Sequence, residues 1–229
     1  MDILVERSFN SLYIYLDIVF LVIFSIILLW RKRYLALIVG ALGGIIYFAV
    51  DYGIFYQLLG TRQVTGADPL WLLLWLSISY GLTNFAWIWL LLDRDGHAVE
   101  WSLLIIAGWM AVAFLSQGMG SEFTQITISR GTARYHSIMA AIMFAGYLWL
   151  IIRNLRATAV NKVNLLRLLA IGIGVQFSWE AVLLLSNIRP TGIVPLVVNS
   201  LIETNLGMPY LYLIYRAVTG KFNENLAKV

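Results

Sequence analysis

The sequence predicts an all-α fold: a polytopic membrane protein built as a seven-transmembrane helix bundle, N-terminus outside or lumenal and C-terminus cytoplasmic. Three observations carry this. Of 229 residues, 61% are hydrophobic and only 12% charged, whereas a soluble domain has about 45–50% apolar and about 25% charged residues; a soluble enzyme is excluded. Long apolar runs follow one another with short polar breaks, so the solvent is a bilayer. The runs are continuous instead of alternating, which favours helices over a barrel.

A spanning helix needs ~20 mainly apolar residues to cross ~30 Å of hydrocarbon. Seven segments qualify: Leu12–Trp30, Tyr34–Tyr56, Leu70–Leu92, Trp101–Gln117, Tyr135–Ile152, Leu165–Asn187 and Leu196–Tyr215. The first is long for a signal-peptide core, lacks a small-residue cleavage motif and is followed by Arg31-Lys32-Arg33, so it reads as a retained anchor. The second contains Gly40-x-x-x-Gly44 and the sixth Ala170-x-x-x-Gly174, a spacing that lets helices approach closely. Arg167, near one end of the sixth, is expected to snorkel to the headgroups. The seventh holds Glu203-Thr204-Asn205-Leu206-Gly207-Met208-Pro209, a polar stretch expected to break the helix where it lines a cavity. Connections are short apart from Gly118–Arg134, and residues 1–229 read as one domain.

Orientation follows from the basic residues. Five (Arg7, Arg62, Arg130, Arg134, Arg189) fall in the loops on the N-terminal side. Ten (Arg31, Lys32, Arg33, Arg94, Arg153, Arg156, Lys162, Arg216, Lys221, Lys228) fall on the other. The positive-inside rule puts the second set in the cytoplasm. The chain is then integral to the plasma membrane if bacterial, or to the endoplasmic reticulum if eukaryotic. With no cysteine and two distant histidines, His97 and His136, neither a thiolate nor a zinc site is expected. The sequence calls for no metal, no cofactor and no nucleic-acid partner.

Ionisable groups in hydrocarbon cost roughly 2.5–3.5 kcal/mol each, so they are rare without a use. Four acids lie within spans: Asp17, Asp51, Glu180 and Glu203. Counting at 1.5 Å per residue puts all four roughly 7–11 Å beneath the outer surface. Gln117, His136, Gln176, Asn199 and Asn205 fall in the same half, while the inner half holds little beyond Asn84 and Arg167. This implies a polar pocket under an outward mouth. Each acid also has a plainer reading, as an interfacial or packing group; for Glu180 the partner would be His136 or a loop arginine. Tyr47, Trp87, Trp109 and Trp179 lie deep enough to line such a pocket. Buried carboxyls donate protons readily to weak bases, and aromatic faces stabilise the cations that result.

Three patches, "GGIIYFAVDYGIFY", "LTNFAWIWLLL" and "SLIETNLGMPYLYLIY", resemble the small seven-span integral-membrane terpene cyclases of fungal meroterpenoid and indole-diterpene pathways. The resemblance implies that Asp51 and Glu203 are the catalytic acids. They would trigger cyclisation of a plain or epoxidised prenyl chain by protonation, one donating and the other assisting or accepting the last proton. The family pairs Glu in span two with Asp in span seven, and here the two are exchanged. The substrate would be a lipophilic small molecule drawn from membrane lipid. Glu180, Tyr47, Trp87, Trp109, Trp179, Asn84 and Asn205 are the candidate substrate-binding residues. A small-solute or proton-coupled transporter is the alternative. A ligand-binding sensor is a third reading; a retinal protein is disfavoured because the seventh span has no lysine.

Overall fold

The structure, a computed structural model, describes residues 4–131, 136–158, 162–189 and 193–226. A strand, β1 (Leu4–Asn10), leads into α1 (Ser11–Trp30). Next comes α2 (Tyr34–Phe48), which widens into a π-helical segment, Ala49–Leu58. After β2 (Arg62–Thr65), α3 (Pro69–Tyr80) runs through a second π-helical segment, Gly81–Phe85, into α4 (Ala86–Leu92). Then follow α5 (Ala98–Met119), β3 (Gln125–Gly131), α6 (His136–Arg156), α7 (Leu165–Leu185) and α8 (Ile193–Leu226). Among the described residues these form seven long helical rods. Among the described residues, six are long and apolar enough to cross a membrane, and α8, with its polar middle, is outside that set. Large apolar side chains stay exposed around the bundle, among them Ile26, Ile46, Leu103 and Phe144, as a lipid-facing surface requires.

Caps fix several rod ends. Asn10 accepts from the Tyr13 N–H (3.3 Å), Asp68 from that of Trp71 (3.1 Å) and Asn164 from that of Arg167 (2.9 Å). The Gly40/Gly44 spacing works as read: a Cβ on Gly81 would lie 2.2 Å from the Gly44 nitrogen and 2.6 Å from the Gly40 oxygen. α2 and the second π-helical segment thus touch backbone to backbone. Ala170/Gly174 does not work that way, because a Cβ on Gly174 would meet nothing within 4 Å. On α7 the close approach is at Gly172, where a Cβ would meet Asn205 Oδ1 at 2.3 Å. Arg167 is also placed differently from the expectation: its guanidinium donates to the Leu91 carbonyl at 2.6 Å, satisfying the end of α4.

Two further expectations are corrected. The fold is helical but not purely so: the three strands form one antiparallel sheet, ordered β1-β3-β2, across one end of the bundle. The residues that read as a loop after Gly118 supply its central strand. And α8 is not broken at Gly207-Met208-Pro209; it runs through as a single helix with Pro209 inside. Proline removes one helical hydrogen bond, yet this stretch is held by packing, for a Cβ on Gly146 of α6 would lie 2.9 Å from the Pro209 ring.

Candidate functional site

The inward face of the sheet decides what lies beneath it. Strand side chains alternate, so Ile126, Ile128 and Arg130 of β3 share one face. Arg7 stands opposite Ile128, and Arg62 opposite Arg130. Ile126 and Ile128 are buried in the bundle's apolar core. The arginines on the same face are carried over the acids of the helices.

Each of three acids has its guanidinium. Asp51, fully buried in the first π-helical segment, accepts from Arg62 Nη2 at 2.5 Å. Glu203 of α8 accepts from Arg130 Nη2. Glu180 of α7 accepts from Arg189 Nη1, with Arg7 Nη2 at 4.0 Å. Arg189 returns over α7 because Asn187 adopts a left-handed φ of 62°, closing the helix with an Arg189 N–H bond to the Leu183 carbonyl (3.0 Å). Gln176 joins two of the pairs, its amide donating to Glu180 Oε1 and Glu203 Oε2, each at 3.2 Å. Its own oxygen accepts from Tyr80 (3.0 Å) and Thr204 (2.7 Å). Asn199 adds a third donor to Glu180 (3.2 Å).

The arginines respond to this setting. Burial lowers the pKa of Arg62, against the pull of Asp51 and with the help of Arg130 and Arg7. Burial and then Arg7 bring Arg189 down to about 10, against Glu180. Burial also opposes the charge on Arg130, but Glu203, Tyr47 and Asp51 outweigh it and its pKa is raised.

Two cavities meet at Glu203. The larger, about 330 Å³, lies between the α2 rod, α3–α4, α6 and α8. Its walls are carbon: Val50, Phe55, Phe85, Ile88, Met139 and Leu211, with Gly43 and Gly207 giving it width. Tyr47 and Tyr80 stack on one side of it, ring centroids 4.8 Å apart. Its polar end is Arg130, Glu203 and Thr204, and Arg130 lies over the Phe55 ring at 5.3 Å. Ile46 on the rim is 65% exposed on the outside of the bundle. The smaller cavity, about 10 Å³, is polar and lies under the sheet. Tyr47, Arg130 and Glu203 line both.

The sequence-predicted residues divide accordingly. Glu203, Tyr47 and Asn84 stand on the wall of the larger cavity. Asp51 does not; it is sealed behind, joined to the site electrostatically through Tyr47, Arg62 and Arg130. Glu180 lies in the polar layer, away from the apolar cavity. Trp87, Trp109 and Trp179 line neither of these cavities: they form an edge-on cluster linking α4, α5 and α7, with centroids 5.8 and 5.0 Å apart. Helical spacing turned these rings toward neighbouring helices. Asn205 also packs internally, accepting from the Tyr147 hydroxyl at 3.2 Å. Asp17 accepts from Trp75 Nε1 (2.9 Å) and lines neither cavity. The His136 side chain, considered as a partner of Glu180, lies outside the described residues. Arg7, Arg62, Arg130 and Tyr80 were not singled out for the site, whereas the loop arginine expected as one possible partner of Glu180 is Arg189. Among the described residues no cluster of three or more His, Asp or Glu is placed to hold a metal ion.

Comparison with family models, with curated proteins and with solved structures finds no match to this chain.

Proposed function

We propose that the chain is a membrane-embedded terpene cyclase, with seven spans, the sheet end outside or lumenal, and the C-terminus cytoplasmic. The observation that carries this reading is Glu203, a carboxyl at the polar end of an otherwise apolar, ring-walled cavity in a bundle with a lipid-like exterior. The cavity size falls at the lower end of the ~300–1,000 Å³ usual for small-ligand sites. Its position between the α2 rod and α6 offers a lipophilic substrate a path in from the bilayer.

In this mechanism the Glu203 carboxyl gives a proton to the epoxide oxygen or terminal olefin of a prenyl chain. Successive double bonds then close rings, each π pair forming a new C–C bond and moving the positive charge along. The Tyr47, Tyr80 and Phe85 rings face that charge. The Glu203 carboxylate takes back the last proton as the final olefin forms, so the sum is an isomerisation. Arg130, which donates to this carboxyl, holds it in place for the second half; the starting proton is the demanding step. Asp51 acts as a positioning residue, holding Arg62 and, through it, the polar end.

Purified protein incubated with prenylated and epoxyprenylated aromatic substrates should give cyclised products of unchanged mass. Glu203→Gln should abolish them with the fold intact, and Asp51→Asn should slow them. Absence of any cyclised product, together with solute uptake by reconstituted vesicles that Glu203→Gln suppresses, would replace this reading with the transporter.

A further inference from the structure

At the end of the bundle away from the sheet, α6 and α8 lie side by side. They run in the same direction: Gly146 of α6 meets Pro209 of α8, and the Tyr210 hydroxyl donates to the Ile142 carbonyl at 2.9 Å. Arg153 and Arg216 each follow the Gly146–Pro209 contact by seven residues, so two helical turns bring them level. With Arg156 they line an open cleft of about 580 Å³, whose other walls are Trp149, Ile152 and Ala157. Arg153 lies over the Trp149 ring at 5.6 Å. Among the described residues no carboxylate comes within 4.0 Å of these three guanidiniums. The acids at this end are engaged by other groups. Asp93 accepts from the Tyr215 hydroxyl at 3.1 Å, Asp95 pairs with Arg33, and Glu100 lies 3.3 Å from His97 Nδ1. The loop after α6, residues 157–164, adds a lysine and no acid, and the first acid on α8 after Arg216 is Glu224, more than two turns further along. The cleft also opens sideways. Trp149 is 48% and Ile152 42% exposed, on α6, the least buried of the six apolar spans. Trp149 sits a turn nearer the middle of that span than Arg153.

We infer that this cleft holds an anionic phospholipid of the surrounding leaflet, its phosphate between Arg153 and Arg216, Arg156 at the rim, and its chains lying over Ile152 and Trp149. A guanidinium meets phosphate through two parallel N–H bonds, a match no other side chain offers. A zwitterionic head group carries its own cation, which three guanidiniums without a counter-ion repel. Free phosphate would leave the indole and Ile152 wall unused. The order of the walls, charge at the span's end and carbon toward its middle, is the order of a lipid molecule, and basic pockets between spans suit such head groups. Glu203 is at the opposite end of the bundle, so the occupant here does not depend on what the cavity there holds.

Native mass spectrometry of the full chain in dodecyl maltoside, an uncharged detergent, reads the site directly. Phosphatidylglycerol and phosphatidylcholine of matched chains are titrated separately, each with and without soluble glycerol phosphate. Phosphatidylglycerol should bind at least about ten-fold tighter than phosphatidylcholine, and glycerol phosphate at the same concentration should not displace it. A basic residue at an anionic head group contributes about five-fold, so Arg153→Gln with Arg216→Gln should weaken phosphatidylglycerol binding about ten- to thirty-fold. Phosphatidylcholine binding and the melting temperature should stay as in the parent. The control, Arg31→Gln with Lys32→Gln, removes the same charge at the end of α1, which packs against α2, α3 and α5, and should leave the preference in place. Equal binding of the two lipids by the parent overturns the anionic head group, whatever the variants do. Displacement by glycerol phosphate overturns the lipid in favour of a free anion. An equal loss in the control pair overturns the cleft and leaves only diffuse attraction to a basic surface.

Discussion

Arg130, on the inward face of β3, donates to Glu203 on α8, and both side chains stand on the walls of the two adjoining cavities. Sheet and bundle are thereby joined at the point where the chemistry is proposed. Removing one member of a buried pair costs about 3–5 kcal/mol, because the other is left uncompensated. With 12% and 13% of these side chains exposed, Arg130→Met should fall near the low end of that range. Arg130→Met with Glu203→Leu should regain most of the loss. Unfolding of the detergent-solubilised variants as a double-mutant cycle gives the coupling.

Gly207 offers a way to fill the larger cavity without harm to the fold. It lines the space, and a Cβ there would meet nothing within 4 Å. Gly207→Leu should raise stability by up to about 1 kcal/mol through helix propensity while cutting prenyl-ligand affinity by more than about ten-fold. Parallel melting and binding curves test it; a variant that binds normally would place the ligand elsewhere.

Gly81 is the opposite case. Its Cβ would strike the Gly44 and Gly40 backbone, which cannot move aside as a side-chain tip can. Gly81→Ala should cost about 1–3 kcal/mol or more and alter the cavity, since both rods wall it. Gly53→Ala, with open space around its Cβ, is the matched control and should leave the melting temperature unchanged or raised.

At the other end of the bundle, Asp95 pairs with Arg33 and accepts from the Trp101 indole (3.2 Å) and the His97 backbone N–H (2.8 Å). Burial alone would raise its pKa, but the His97 N–H and the Arg33 charge prevail and hold it below the ordinary 3.8. A depressed acid stabilises the fold above its unfolded value, and that contribution is lost as pH falls through the folded one. Asp95→Asn should therefore melt earlier than the parent at neutral pH, with the gap closing below about pH 4. A gap that is the same at every pH would show that the carboxylate charge contributes nothing.

Most rods were legible to within a few residues because hydrophobic length in a bilayer is a one-dimensional property: Leu12–Trp30 became Ser11–Trp30 and Leu70–Leu92 became Pro69–Leu92, whereas Leu196–Tyr215 became the much longer Ile193–Leu226. The shared depth of Asp51, Glu180 and Glu203 could likewise be counted along each helix. The sheet could not, since its strands are short and their partners distant in sequence. Its one local trace was the alternation Ile126, Ile128, Arg130, with Arg62/Val64 and Arg7/Phe9 matching it. An arginine on the apolar face of a strand signals an inward-pointing charge, but only once the strand is known to pair. Counted as loop charges, these arginines entered only the orientation argument, and that use concealed their place at the site. The tryptophans were open for a related reason: depth places a ring in a span without saying which way it turns.

The spacing of the ion pairs along the chain bears on how the protein is made. Arg62 follows Asp51 by 11 residues and Arg189 follows Glu180 by 9, so each of those acids can enter the bilayer with its counter-ion supplied by the very next turn. Glu203 has no such neighbour; its arginine was translated 73 residues earlier. The final helix therefore brings Glu203 to an arginine that the strands, all earlier in the chain, have already placed beside Asp51 and Tyr47.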